Sequence, residues 1–306
     1  MKDLKDIRPI ALVNVTNRCN LKCKHCFVFR EGTPNTPTKK NEMPATEMIK
    51  EIKKYKRKYG IFRMLWMGGE PLLRKDVLKL GVKLFPQNVI ATNGTLPLIN
   101  LGPKIKWAVS IDGPEKINDE IRGKGSFKKI INNLNNLPDD FKGDLQCSCA
   151  VSKKNENFLE ELINILQKET PARGITFSFY VPKKKDTSEF MWKTLKERDS
   201  VIKKVFALKK KYGNFILNNR LVFELLLSQN ALEVTNNCPL KKYALPLYLG
   251  YEGFEIPFCC YGNDVNCDLC GAWGAFHLAA IIKVNPGFPD KISGTFKNVT
   301  PTDIII

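Results

Sequence analysis

Three thiols fall close together in one short stretch, "VTNRCNLKCKHCFVFREG" at residues 15–32: Cys19, Cys23 and Cys26. Gaps of three and two residues are too tight for ordinary mutual disulfides, but close enough to wrap one small metal site. Zinc would want a fourth ligand nearby, and the loop offers only His25. An iron–sulfur cluster held by three cysteines, with one iron left open, fits the count better. A second group lies far along the chain in "NNCPLKKYALPLYLGYEGFEIPFCCYGNDVNCDLCGAWG": Cys238, Cys259, Cys260, Cys267 and Cys270. Its Cys-x2-Cys pair at 267–270 is compatible with a zinc ribbon. Cys147 and Cys149 alternate onto one face of a strand-like run and read as small buried residues. His277, in an apolar stretch, reads as a packed core histidine rather than a ligand.

The compartment decides how such cysteines are used. The opening "MKDLKDIRPIALVNV" has charges but too short an apolar core for a signal peptide. No apolar run reaches the roughly 18 residues of a membrane span. The expectation is a soluble cytoplasmic protein, where reducing conditions disfavour structural disulfides and clustered thiols serve metal or redox chemistry. The chain has 306 residues, 43% of them hydrophobic, so it can bury a sizeable core. Its net charge of +18 comes mostly from lysines spread along the chain. That spread reads as a solvated surface, and nucleic acid is an unlikely partner.

The elements that must position the thiols follow from the hydrophobic pattern. Strand-like runs are residues 10–15, 63–67, 88–92, 106–111, 144–151 and 174–181. Between them "ATEMIKEIKKYKRKY", "KDVLKLGVKLF", "SFKKIINNLNNL" and "NENFLEELINILQKE" carry apolar residues at helical spacing. Such alternation predicts a parallel α/β sheet with right-handed helical crossovers, rolled toward a partial (β/α)6 TIM-like barrel. The expected division is a barrel over 1–182, a helical connector over 183–231, a small Cys-rich α+β domain over 232–282 and a tail over 283–306. The first cysteines then sit beyond the carboxyl end of the first strand, the face where such barrels carry function.

Other strand ends complete a pattern. "WMGGEP" (66–71), "ATNGT" (91–95) and "SIDGP" (110–114) end the second, third and fourth strands, and "IRGKGSF" (121–127) follows. Together with the Cys-x3-Cys-x2-Cys loop, these resemble the motif set of the radical S-adenosylmethionine (SAM) superfamily over residues 10–181. That resemblance implies that Cys19, Cys23 and Cys26 ligate a 4Fe–4S cluster whose open iron chelates SAM. It implies His25 along the adenine, Gly68 and Gly69 close against the cofactor, and Glu70 facing the methionyl ammonium. It places Ser110, Asp112 and Asn93 at the ribose and Arg122 on the SAM carboxylate. Val151 and Asn155 match positions that often hold the adenine. The implied chemistry is one-electron cleavage of SAM to a 5′-deoxyadenosyl radical, which abstracts hydrogen from a substrate.

The second cysteine group resembles the twitch/SPASM auxiliary-cluster extensions of this superfamily. "YLGYEGFEIPFCC" reads as their hairpin, turning at Glu252-Gly253. Five cysteines suit one auxiliary 4Fe–4S cluster, held by Cys238, Cys267, Cys270 and either Cys259 or Cys260. Alternation along the extended segment would put Phe258 and Cys260 on one apolar face, which favours Cys259 as the ligand. The resemblance points first to modification of a peptide or protein side chain, with a ferredoxin- or flavodoxin-like reductant and no membrane partner. No leader-binding domain is evident before residue 10. The alternatives are a step in small-molecule cofactor or haem biosynthesis, and a non-catalytic metal- or nucleic-acid-binding module.

Overall fold

A computed structural model describes residues 6–29 and 42–287 of the chain. The expected tail is described only up to residue 287, so the rest of it lies outside the described residues.

The six expected strands form in the expected places. β1 (Ile10–Asn14) leads to α1 (Ala45–Tyr59) and β2 (Arg63–Met67). α2 (Lys75–Gly81) precedes β3 (Gln87–Thr92) and β4 (Ile105–Ser110). Then come α3 (Glu115–Arg122), α4 (Ser126–Asn135), β5 (Asp144–Val151), α5 (Leu159–Glu169) and β6 (Ile175–Phe179). The expected charged helices begin at residue 195: α6 (Leu195–Tyr212), α7 (Arg220–Leu226) and α8 (Ser228–Asn236). α9 (Pro239–Tyr243), β7 (Ala244–Leu249), β8 (Phe254–Glu255) and α10 (Trp273–Val284) follow. One crossover differs from expectation. No helix joins β3 to β4, because residues 93–104 contain Gly94, Pro97, Gly102 and Pro103, which interrupt helix.

Local chemistry explains the regular parts. α1 buries Met48, Ile49 and Ile52 at helical spacing and keeps its lysines outward. Lys56, Arg57 and Lys58 occupy its last turn, where cations complement the helix dipole. Gly60 stops it at φ 67°, a left-handed position that glycine adopts without a Cβ clash. Strands β1, β2 and β3 are almost wholly buried, as parallel strands covered on both faces must be.

The sheet order is β6-β5-β4-β3-β2-β1-β7-β8. Strands β1 to β7 pair in parallel, and only β8 runs antiparallel to its neighbour. The expected hairpin is present, with Gly250 N donating to Gly253 O at 2.7 Å across the turn. Its first strand lies directly beside β1, pairing Ile10 with Ala244 and Val13 with Leu247. The strand that follows Cys238, β7, is therefore the neighbour of the strand that leads into the first cysteine loop. Just past β1, Asn17 donates from Nδ2 to the Leu249 carbonyl at 2.7 Å and is buried. His277 and the Cys147–Cys149 pair are buried as expected, with His277 stacked on Trp273 at 4.6 Å between ring centroids.

Asn17→Ala removes the side-chain tether between the first cysteine loop and β7 and leaves a buried carbonyl unpaired. Urea denaturation should show a loss of about 1–3 kcal/mol. An unchanged urea midpoint would show that the tether bears no weight.

Candidate active site

The first cysteine loop is strapped from two sides. Backbone hydrogen bonds continue the β1–β2 pairing beyond the strands: Val15 N to Met67 O, Gly69 N to Thr16 O and Glu70 N to Arg18 O, each at 2.8 Å. Opposite them, Lys24 N donates to Ile121 O at 2.9 Å, and the Cys23 thiol lies 4.0 Å from Arg122 O. The glycines are required by the first strap. A Cβ on Gly69 would sit 2.1 Å from Arg18 O, and one on Gly68 would sit 2.6 Å from Thr16 O. Their lack of side chains thus lets two backbones touch. Beneath the loop, Arg18 pairs with Glu42 at 2.6 Å, and Thr16 also bonds Glu42.

Between these straps lies a cavity of about 250 Å3. Cys19, Cys23, Cys26, His25, Gly68, Gly69, Asn93, Ser110 and Arg122 all border it, so nine of the expected residues are brought together. Phe27, Phe29, Tyr180 and Tyr261 add aromatic wall, and Ser148 and Ser178 add hydroxyls. Burial pushes the Cys19 thiol up and pushes Cys23 up to about 11, with Arg122 opposing the latter shift. Asn93 holds its own loop: Nδ2 donates to Asn20 Oδ1 at 2.9 Å, and Oδ1 accepts from Thr95 N at 2.9 Å.

Asp112 and Glu70 stand at the expected strand ends, and both are buried behind the cavity wall. Asp112 is fully buried and does not border the cavity. Its Oδ2 lies 2.8 Å from His25 Nε2 and 2.7 Å from Arg122 Nε, and its Oδ1 accepts from Ala150 N at 2.9 Å. It anchors two cavity residues, His25 and Arg122. Burial opposes its charge, yet Arg122 and His25 hold the carboxyl well below the usual range. Glu70 is likewise fully buried. Its oxygens accept from Leu72 N at 3.0 Å, Thr92 Oγ1 at 2.7 Å and Asn93 N at 2.8 Å. Burial pushes that carboxyl up while the hydrogen bonds pull it back. With these bonds Glu70 braces the β2 and β3 ends. Val151 and Asn155 are also withdrawn. Asn155 donates to Asp112 O at 2.8 Å and Ala150 O at 3.1 Å, and accepts from Ser152 N at 2.7 Å.

The donor set suits the implied cofactors. Three thiols open on one cavity, and His25 Nδ1 is buried there without a hydrogen-bond partner among the described residues. Among the described residues, no three His, Cys, Asp or Glu side chains are placed to hold a single metal ion. A four-iron cluster spreads its thiolates more widely than one ion does.

The five later cysteines border one small cavity of about 20 Å3. Four of them, Cys238, Cys259, Cys267 and Cys270, pack with the main core, whereas Cys260 packs with Leu12, Val28, Met67 and Tyr248. The reason differs from the expected alternation, because Ile256 and Phe258 are exposed at 47% and 54%. A tight turn separates the pair instead, with Cys259 and Gly262 exchanging backbone hydrogen bonds and Tyr248 donating to Cys260 O at 2.8 Å. Tyr261, which sequence reasoning missed, borders both cavities. Its ring packs on Phe27 at 4.6 Å, and its N–H donates to Cys259 Sγ at 3.3 Å. The only signal for it was an aromatic directly after the cysteine pair.

With this geometry in hand, comparison with known proteins is decisive. Residues 13–178 match the profile of the radical SAM superfamily. The chain belongs to that superfamily. Members of that superfamily carry out radical chemistry with SAM and an iron–sulfur cluster. It is 32% identical over 176 residues to Fe-coproporphyrin III synthase of Methanosarcina barkeri, covering 54% of this chain and 42% of that one. It is 28% identical over 164 residues to mycofactocin maturase MftC of Mycolicibacterium smegmatis, covering 50% and 40%. The chain thus spans less than half the length of these two relatives. Among solved structures, native anSMEcpe with bound AdoMet has a TM-score of 0.61 at 17% identity, covering 86% of this chain and 79% of that one. Streptococcus suis SuiB bound to precursor peptide SuiA has a TM-score of 0.62 at 14% identity, covering 89% and 65%. These likenesses show the shared fold. Among the described residues, no helix is long and apolar enough to cross a membrane.

Asp112→Asn leaves a buried guanidinium without its anion and should cost about 3–5 kcal/mol at pH 7. The wild-type carboxyl is held low, so its contribution is present above about pH 4 and lost as pH falls further. Stability curves should therefore converge on the acid side, and a constant gap down to pH 2 would contradict the assignment. Glu70→Gln should lower thermal stability, by about 1–3 kcal/mol, while leaving SAM affinity in the apoprotein near that of the wild type. A large loss of SAM affinity at unchanged stability would return Glu70 to the ligand.

Proposed function

We propose that this radical SAM enzyme modifies an uncharged side chain of a peptide or protein, with Cys19, Cys23 and Cys26 holding the SAM-binding cluster. When bound, that cluster and SAM supply a radical able to take hydrogen from unactivated carbon. The chain's own residues orient and shield. Gly68 and Gly69 keep the strand end open to the cofactor, and Ser110 and Asn93 offer polar contacts to it. His25 and Arg122, held by Asp112, present one ring and one guanidinium without rearrangement. Phe27, Phe29, Tyr180 and Tyr261 keep water from the reacting centre. A one-electron donor of the ferredoxin or flavodoxin class supplies the reducing equivalent.

The observation that carries the substrate reading is the charge inside the cavity. Among the described residues bordering it, Arg122 is the only ion apart from the titratable thiols and His25, and Asp112 already neutralises it. A triphosphate or a polycarboxylate would meet no second cation there among the described residues. The reading of small-molecule cofactor or haem biosynthesis is favoured by a different observation. Several curated relatives are of that kind, including pre-heme d1 synthase of Dinoroseobacter shibae, 28% identical over 173 residues.

We read Cys238, Cys259, Cys267 and Cys270 as the ligands of a second 4Fe–4S cluster. Four protein thiolates leave no open iron, so its part would be electron transfer or support of the fold. Cys260, on the other side of the turn, is spare.

Anaerobically reconstituted protein should convert SAM to 5′-deoxyadenosine under a strong reductant. It should carry about eight irons per chain on the two-cluster reading. Replacing Cys19, Cys23 and Cys26 together by Ala should abolish the product and leave about four irons. Persistent cleavage in the triple variant would falsify the first site, and four irons plus one zinc in the wild type would restore the zinc ribbon. Neutral-side-chain peptides should stimulate cleavage above the substrate-free rate. Stimulation by a nucleoside triphosphate or a carboxylated porphyrin alone would decide for the small-molecule reading.

A further inference from the structure

Arg198 is among the most deeply buried side chains of the molecule, only 1% exposed on the inner side of α6. Its Nη1 donates to the carbonyls of Leu269 at 3.2 Å and Cys270 at 2.7 Å, and its Nη2 donates to that of Leu226 at 2.9 Å. Its Nε is buried with no hydrogen-bond partner among the described residues. The other buried or half-buried arginines near the cysteines each have a carboxylate: Arg122 has Asp112, Arg18 has Glu42 and Arg74 has Asp76. Arg198 makes no such ion pair among the described residues. The next residue, Asp199, turns both its oxygens to Ser228, at 2.8 Å to the backbone N and 2.6 Å to Oγ.

A guanidinium withdrawn from water and served only by carbonyl dipoles is costly, unless an anion lies close by. Charge at the five-cysteine cavity is the missing term. Cys270, whose carbonyl Arg198 grips, borders that cavity together with Cys238, Cys259 and Cys267. A cluster held by four thiolates is net anionic, and its potential depends on local charge and on the hydrogen bonds around it.

We propose that Arg198 is the counter-charge of the C-terminal cysteine site. It stabilises the more negative, reduced form of a 4Fe–4S cluster held by Cys238, Cys259, Cys267 and Cys270, and so raises its reduction potential. The step it biases is the gain of one electron by the oxidised cluster, from a substrate radical or an external reductant, with no bond made or broken at the protein. Arg198 touches no reacting atom, and it acts by position and charge. The helical segment between the barrel and the second cysteine group thereby acquires a task, since α6 delivers the charge to the turn at 267–270. This inference rests on the reading of those cysteines as a cluster site.

The test uses full-length chains in which Cys19, Cys23 and Cys26 are all Ala, so that only the second site carries iron. The parent, Arg198→Lys and Arg198→Gln are reconstituted anaerobically. Iron is counted, and the midpoint potential is read by electron paramagnetic resonance during redox titration. Gln keeps some hydrogen bonding without charge, and Lys keeps charge without the planar fork. Arg198→Gln should shift the equilibrium at least tenfold toward the oxidised cluster, about 59 mV for a one-electron couple, while Arg198→Lys stays near the parent. Loss of iron in Arg198→Gln with retention in Arg198→Lys also supports the charge role. Equal shifts, or equal loss of iron, in both variants would assign Arg198 to holding the turn and overturn the proposal. Unchanged potential in Arg198→Gln would overturn it too. A parent that holds zinc or no iron overturns the underlying cluster reading instead, and that result is distinct from the others.

Discussion

Everything at the active-site end of the barrel is organised around one buried negative charge. Asp112 gathers His25 from the cysteine loop, Arg122 from the end of α3 and the Ala150 amide from β5 onto two oxygens. These elements are separated in sequence and meet only there. Burial strengthens each contact, because a low local dielectric raises the cost of breaking any one of them. The same carboxylate fixes the ring of His25, leaving Nδ1 as the polar atom presented without a partner. A cavity whose walls are mostly aromatic or small thus acquires a rigid polar corner without carrying excess charge.

The frame of this arrangement was plain in the sequence. Strand boundaries fell within one or two residues, because buried parallel strands are short apolar runs set between turn residues. The cysteine loop and the strand-end glycines announced their convergence by motif. What the sequence did not disclose is direction. Asp112 and Glu70 stand at the expected strand ends, yet their carboxylates turn inward to bind backbone amides and neighbouring side chains. Nothing in the local pattern names the amides and side chains that these carboxylates bond. Tyr261, Arg198 and the tether from Asn17 escaped for a related reason: each acts through a partner more than 10 residues away, a distance that periodicity does not record. The missing helix between β3 and β4 could have been read from its two prolines.

Placement of the second cysteine group beside the first has an electrical as well as a geometric side. The chain carries +18, but that charge lies mainly on its surface. Inside, Arg122 at one site and Arg198 at the other are both buried. Tyr261 borders both cavities and bonds a thiol through its backbone.

The pairing of β1 with β7 also bears on how the chain is made. The sequence that forms β2 is complete at residue 67, whereas the other partner of β1, β7, is complete only at residue 249. At ~5–20 residues per second that interval lasts roughly 10–40 s. An unpaired parallel edge of Ile10, Ala11, Leu12 and Val13 is adhesive while it waits. A ribosome that pauses late in the message prolongs that exposure. The arrival of β7 closes the edge and, through the Asn17–Leu249 bond, locks the loop bearing Cys19, Cys23 and Cys26. The segment that completes the seat of the first cysteine loop is therefore made roughly 180 residues after β2, the strand that begins it.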